Sequence, residues 1–230
     1  MKGDILAGDD LDEQGLKKWY QEEENAFYNS ESEQCIDDPW YKYMCFVNKK
    51  LTHKAINQIK ENVKNILFVG PGSGNEVFFY KKLLANSDIS FLESSKDFQK
   101  LLKDKFPSSK IIQPRFDGVI DIDDNFFDII FFFSVLHHIP NVSKVLKESS
   151  RITKKGGLVI IREPCSSMGF WDKPRSSTPN ERGISKKVML NIAKKSGLKS
   201  IQKPRPILLE PINKFIHKNK LYPYLNFKFL

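Results

Sequence analysis

Cysteine is scarce in this chain. Cys35, Cys45 and Cys165 are all it has, and no two sit at a metal-binding spacing. That argues against a disulfide framework or a thiolate metal centre and fits free thiols in a reducing cytosol. Cys165 alone stays open as a nucleophile. No apolar run reaches the roughly 18 residues of a membrane span, and the Ile129 to Leu136 stretch reads instead as a central strand. The start, Met1-Lys2-Gly3-Asp4, lacks the basic-then-apolar layout of a secretory leader, so a cytoplasmic location is expected. Repeats and low-complexity tracts are absent. Acidic residues are sparse toward the C-terminus: residues 144–230 hold 5 Asp+Glu against 20 Lys+Arg, net +15. Residues 1–38 hold 12 against 3, net −9. A basic C-terminal part favours an anionic partner: a phosphorylated or nucleotide-linked molecule, a nucleic acid or a membrane surface. Forty per cent hydrophobic and 28% charged residues over 230 positions suit one or two ordinary globular domains.

The stretch with most chemistry is Ile66-Leu67-Phe68-Val69-Gly70-Pro71-Gly72-Ser73-Gly74-Asn75-Glu76. An apolar run enters three glycines spaced by two, the pattern of a buried parallel strand turning tightly into a helix. Glycine permits the bend and lets a ligand approach the main chain, and the following helix directs bare N–H groups at it. A dinucleotide fingerprint needs Gly-x-Gly-x-x-Gly, and Asn75 occupies the place of its third glycine, so the turn leans away from NAD toward another adenosine ligand. Nineteen residues after Gly74, the strand Ile89 to Leu92 ends in Glu93, placed to accept the hydroxyls of a ribose. A third strand from Ile111 leads to Asp117, placed to accept an adenine amine. A fourth runs from Phe127 through Phe133 to Ser134-Val135-Leu136-His137-His138.

In order and spacing these pieces resemble the class I S-adenosylmethionine-dependent methyltransferases, of the small type 11 kind. Val69 to Gly74, Leu92 to Ser95, Phe116 to Gly118, Phe126 to Ile130, Ser134 to His138 and Arg151 to Leu158 carry the resemblance, which spans roughly residues 40–165. It implies an α/β, Rossmann-like, doubly wound fold: a mostly parallel seven-stranded sheet with helices on both faces. It implies S-adenosylmethionine as cofactor. Gly70, Pro71, Gly72 and Gly74 would shape the loop round its methionine end, Glu93 and Ser94 would meet the ribose, Asp117 and Gly118 the adenine, and Ser134 would lie near the sulfonium. The family usually carries an acid two residues before the first glycine, where this chain has Phe68.

Methyl transfer from a sulfonium needs alignment and, for a hydroxyl or amine acceptor, removal of one proton. His137 or His138 is the candidate base, because imidazole titrates near neutrality, and Glu163 is another. No metal is expected: Asp121 and Asp123 read as a solvated turn. Residues 1–38 read as an acidic, partly ordered lead-in or lid whose Trp19-Tyr20 and Phe27-Tyr28 pack on the domain or cover the cofactor. Residues 39–230 form the methyltransferase domain. Within it, helices are expected from Pro39 to about Val63, after the glycine loop, from Phe98 to before Pro107, from Val142 to Ile152 with a stop at Gly156-Gly157, and from Ser185 to Gly197. A fifth strand covers Leu158–Ile161, and Ile201 with Ile207, Leu208 and Leu209 suggest edge strands. Residues 162–184 form the substrate gate, where Arg162, Lys173, Arg175 and Arg182 can grip an anionic acceptor. The tail from Phe215 is assigned to intramolecular packing, with a homodimer or a membrane surface as alternatives. A small-molecule, glycan or lipid-precursor O-methyltransferase is the leading reading. An RNA methyltransferase and a catalytically lapsed cofactor-fold protein are the others.

Overall fold

The computed structural model describes residues 11–28, 39–81, 85–165 and 180–205. Five parallel strands lie at its centre: β1 (Asn65–Val69), β2 (Asp88–Leu92), β3 (Lys110–Ile112), β4 (Phe127–Phe133) and β5 (Thr153–Arg162). Their order is β3-β2-β1-β4-β5. The winding therefore reverses direction between β1 and β4, and the loops after those two strands flank one crevice, where open α/β sheets bind ligands. Of the seven strands expected, five are present among the described residues. Ile207, Leu208, Leu209 and the tail from Phe215 lie outside them. Ile201 is not in a strand: it sits in a bend, 67% exposed.

Strand alternation explains why both faces are covered. Ile66, Phe68, Phe91, Ile129 and Phe131 point into one core with Ile56 of α2 (Pro39–Ile59), Val77 and Tyr80 of α3 (Val77–Lys81), Leu102 of α4 (Lys96–Lys105) and Phe106. Leu67, Val69, Ile130 and Phe132 point into the other. There they meet Val142, Val145 and Leu146 of α5 (Val142–Ile152) and Met189 and Ile192 of α6 (Lys186–Lys195). Runs apolar at every position are what a sheet buried on both faces demands. Ser95 and Ser185 cap α4 and α6, accepting the N–H of Phe98 and Val188.

One local expectation needs correction. Gly156-Gly157 does not stop α5. That helix ends at Ile152, β5 begins at Thr153, and the glycines lie inside it where the register with β4 jumps from Phe127–Thr153 to Ile129–Leu158. Gly156 has φ +81°, and a Cβ on Gly157 would stand 2.8 Å from the Asp128 carbonyl oxygen. The pair makes a bulge beside a close backbone approach. Residues 13–28 form one helix, α1 (Glu13–Tyr28), with Leu16, Trp19, Tyr20 and Glu23 along one face.

Candidate functional site

The glycine loop is strained in the way its residues permit. Gly70, Gly72 and Gly74 have φ of +55°, +54° and +74°. Gly70 donates to the Leu92 carbonyl (2.8 Å) and Gly74 to that of Pro71 (3.0 Å). A Cβ on Gly70 would meet Val135 Cγ2 at 2.3 Å, so the loops after β1 and β4 touch at this point. Over Gly72 the nearest atom to a built Cβ is Phe98 Cε2 at 3.9 Å, so here bare main chain borders open space. Gly70→Ala should destabilise the fold by between about 2 and 5 kcal/mol, the left-handed backbone and a stiff valine both resisting the methyl. Urea unfolding checks this; an unchanged midpoint would refute the tight apposition.

Glu93 stands at the bend, as its spacing predicts. Its carboxylate is buried and accepts the N–H of Gly72 (3.2 Å) and of Ser95 (3.0 Å). Burial pushes its pKa up to about 7, against the pull of those backbone donors. Asn75 is buried, and Lys105 donates to its side chain and to the Ser73 carbonyl, fastening the loop to α4. Asp117 lies in the turn after β3. Arg115 binds it through Nε (3.1 Å) and Nη2 (2.7 Å), and Val119 donates to it (3.0 Å). These contacts hold its carboxyl below the usual range, the Arg115 bond foremost. Gly118 has φ +80° and packs against Asn141.

At the other end of the crevice, Ser134 has φ +56° and accepts a hydrogen bond from Arg162 Nη2 (3.0 Å). Arg162 also pairs with Glu76, 2.7 Å away, just before α3. Among the described residues, Glu76 Oε2 is buried and accepts no hydrogen bond. Burial raises the Glu76 pKa against the attraction of Arg162. Phe68, in the place of the family's acid, is 3% exposed and stacks on Phe131 with centroids 4.5 Å apart.

The two histidines sit in a short 3-10 turn, Leu136–His138, after β4. His137 Nδ1 lies 2.7 Å from Glu163 Oε2, and the other Glu163 oxygen accepts the N–H of Val135 (2.9 Å) and Leu136 (2.8 Å). Glu163 is therefore consumed in holding His137 and the turn, which disfavours it as a base acting directly on substrate. His138 Nδ1 lies 2.8 Å from Glu23 Oε2 of α1. Both Nε2 atoms face Glu181 Oε1, at 3.8 Å for His137 and 3.7 Å for His138. α1 is fastened across this turn: Trp19 Nε1 donates to the His138 carbonyl (2.9 Å) and Tyr20 to Asn141 (2.8 Å). Asn180 donates from its backbone to Glu23 and from its side chain to Glu22. Trp19 and Tyr20 thus pack on the domain beside the site, while the side chains of Phe27 and Tyr28 lie outside the described residues.

The sequence reading missed Glu23, Glu76 and Glu181 as site residues. The signal for Glu23 was present, since Leu16, Trp19, Tyr20 and Glu23 share one helical face. Two cations nominated as substrate grips are engaged elsewhere: Arg162 with Glu76 and Ser134, Arg182 over the Trp19 ring at 4.5 Å. Lys173 and Arg175 lie outside the described residues. Burial and the nearby Glu163 push the Cys165 thiol pKa up, which removes it as a ready nucleophile.

A parallel sheet of order 3-2-1-4-5, a glycine cradle at its switch point and a buried carboxylate closing that cradle fit the S-adenosylmethionine-dependent methyltransferase domain that the sequence resembles. Residues 67–161 match the model of the family described as a methyltransferase domain. A protein from Galdieria sulphuraria assigned as a sarcosine dimethylglycine methyltransferase is similar in fold: 19% identity, 75% of this chain and 71% of that one, TM-score 0.56. So is an S-adenosylmethionine-dependent methyltransferase from Archaeoglobus fulgidus, at 14% identity, 74% and 83% coverage and TM-score 0.51. The [4+2]-cyclase SpnF matches at 16% identity and TM-score 0.50 over 65% of this chain, which spans 56% of that protein's length. No curated protein matches the sequence. The cofactor of this domain class is S-adenosylmethionine, and the open main chain at Gly72, the Glu93 carboxylate and the orphaned Glu76 oxygen fit it. Among the described residues no helix is long and apolar enough to cross a membrane.

Proposed function

We propose that this chain methylates a hydroxyl of a small-molecule acceptor, a glycan or lipid precursor, with the His137–His138 pair taking the proton. The observation that carries this is the pair's geometry. Each imidazole is held at Nδ1 by a carboxylate, and the two Nε2 atoms converge on Glu181 Oε1, at 3.8 and 3.7 Å. An Nδ1-bound carboxylate orients a ring and favours proton uptake at the other nitrogen. Bound S-adenosylmethionine would supply an electrophilic methyl group on a sulfonium. The residues then have three tasks: hold the cofactor, align the acceptor oxygen and accept its proton.

The glycine loop, Gly70 to Gly74, wraps the methionine end, Glu93 with Ser94 takes the ribose, and Asp117 with Gly118 the adenine. Asp117 Oδ2 receives one hydrogen bond among the described residues and so keeps a lone pair for an adenine amine. Ser134 and Glu76 face the methionine end, where Glu76 Oε2 suits an ammonium group. The net +15 of residues 144–230 supports an anionic acceptor.

Methyl-labelled S-adenosylmethionine with a panel of phenols, sugar phosphates and prenyl phosphate alcohols tests the reading. His138→Gln or His137→Gln should lower kcat by about 100-fold or more while calorimetric affinity for S-adenosylhomocysteine holds. Near-full turnover in both variants would refute the base assignment. Absence of cofactor binding at millimolar ligand would favour the lapsed, non-enzymatic reading. RNA binding that falls steeply with salt would favour an RNA acceptor.

A further inference from the structure

We propose that His137 Nε2, His138 Nε2 and Glu181 Oε1 form a binding site for one divalent transition-metal ion of the zinc or iron(II) type. The three donor atoms lie within 4.8 Å of one another. Glu181 Oε1 stands 3.8 Å from one Nε2 and 3.7 Å from the other. Ligands about 2.0–2.2 Å from a tetrahedral ion stand about 3.3–3.5 Å apart, so capture requires closure by a few tenths of an ångström on those two edges and by up to about 1.3–1.5 Å between the two imidazole nitrogens, which lie within 4.8 Å of each other.

Four features separate this cluster from a chance meeting of polar groups. First, the donors are imidazole nitrogens and one carboxylate oxygen, a set that suits zinc, iron, cobalt or nickel and not the all-oxygen shells of magnesium or calcium. Second, each imidazole already has the outer partner that metal-bound histidines use. Glu163 sits on His137 Nδ1 at 2.7 Å and Glu23 on His138 Nδ1 at 2.8 Å. Such carboxylates fix the Nδ1–H tautomer and aim the Nε2 lone pair at the ion. Third, the side chains are nearly closed to solvent, 7%, 15% and 6% exposed for His137, His138 and Glu181. Fourth, three carboxylates surround two imidazoles. All three are buried, and buried carboxylate oxygens favour a nearby cation or hydrogen-bond donor.

The donors are also fixed in place by backbone. Arg182 donates from its N–H to the His137 carbonyl (2.7 Å), which locks Glu181 against the histidine turn. Glu23 belongs to α1, so a bound ion would tie the N-terminal helix to the end of β4. Three protein ligands leave a coordination position for a water or an acceptor oxygen. An acceptor hydroxyl held there would lose its proton more readily, to water, because both Nε2 atoms would be on the ion; the inference builds on the hydroxyl-methylation reading above and replaces its histidine base with an ion-bound acceptor oxygen.

The test uses the untagged full chain, stripped with 1,10-phenanthroline and dialysed. Zinc is titrated by calorimetry, cobalt(II) uptake is followed by its visible absorption bands, and metal content is measured by plasma mass spectrometry. The expected result is one ion per chain, with affinity at least about 100-fold weaker in Glu181→Gln and in His137→Gln. Glu163→Gln, which touches no ion, should weaken it by about 10- to 100-fold. Circular dichroism melts confirm that each variant is folded, and Glu181→Gln serves if His137→Gln is not. Sub-stoichiometric uptake of zinc, cobalt and iron(II), or equal uptake by Glu181→Gln, overturns the proposal. If stripped chain still transfers methyl groups at full rate, the metal role fails and the histidine base stands. If the ion binds but S-adenosylhomocysteine does not, the methyl-transfer reading fails and the metal site stands.

Discussion

Binding of S-adenosylhomocysteine should weaken about tenfold for each pH unit below about 7, and Glu93→Gln should flatten that dependence. Glu93 is buried against the glycine loop, and burial lifts its pKa from 4.5 to about 7. A ribose diol donates two hydrogen bonds and needs an ionised acceptor. Binding therefore selects the carboxylate and releases a proton wherever the free protein carries one. The sign for folding is opposite. Between about 4.5 and about 7 the folded chain holds a proton that the unfolded chain has lost. Stability of the ligand-free protein should accordingly fall as pH rises through that window, by up to about 3 kcal/mol. Calorimetry across the pH range reads the first effect and urea unfolding the second. Glu93→Gln replaces charge-assisted bonds to the ribose with one neutral acceptor, so its affinity should be about 100-fold or more below that of the unaltered chain above pH 7. An affinity that ignores pH in the unaltered chain would show that Glu93 does not meet the ribose.

What the sequence made legible is what local pattern controls. Glycines at positive φ, an acid at the tip of the next strand and apolar runs long enough for buried strands are each specified within about ten residues. The glycine loop, Glu93 and the helices over 96–105, 142–152 and 186–195 fall in this group. What stayed hidden depends on long closures. His138 meets Glu23 across 115 positions and Asn180 meets Glu23 across 157. A Glu22-Glu23-Glu24 run looks like solvated charge until the partner of its middle member is known. Gly156-Gly157 misled for a related reason. Glycine after a helix reads as a stop, but here the close approach of the Asp128 carbonyl, on another strand, requires it. Arg162 and Arg182 read as free cations because nothing nearby in sequence announces Glu76 or Trp19.

Restoring the family's acid by Phe68→Asp should cripple the protein instead of improving cofactor binding. Phe68 lies between β2 and β4 in an aromatic group, its centroid 4.5 Å from Phe131, 6.2 Å from Phe91 and 6.4 Å from Phe133. Removing a buried phenylalanine costs about 3–5 kcal/mol, and leaving a carboxyl there without a donor adds roughly 1–3 more. A domain of ordinary stability holds about 5–15 kcal/mol in total, so the variant should be unfolded or close to it. Phe68→Leu, which keeps shape and polarity, should cost about 1–2 kcal/mol and leave S-adenosylhomocysteine affinity nearly unchanged. The proposed partner for the methionine ammonium is instead Glu76, whose Oε2 is buried with no donor among the described residues. Glu76→Gln breaks a buried ion pair with Arg162, so lost affinity alone would not separate recognition from general damage. Comparison with methylthioadenosine does, because that ligand has the adenosine and sulfur but no amino acid group. The unaltered chain should prefer S-adenosylhomocysteine over methylthioadenosine, and Glu76→Gln should erase about tenfold or more of that preference while binding methylthioadenosine as before. Equal loss for both ligands would return Glu76 to a purely structural role and leave the ammonium to the backbone around Gly70 and Ser134.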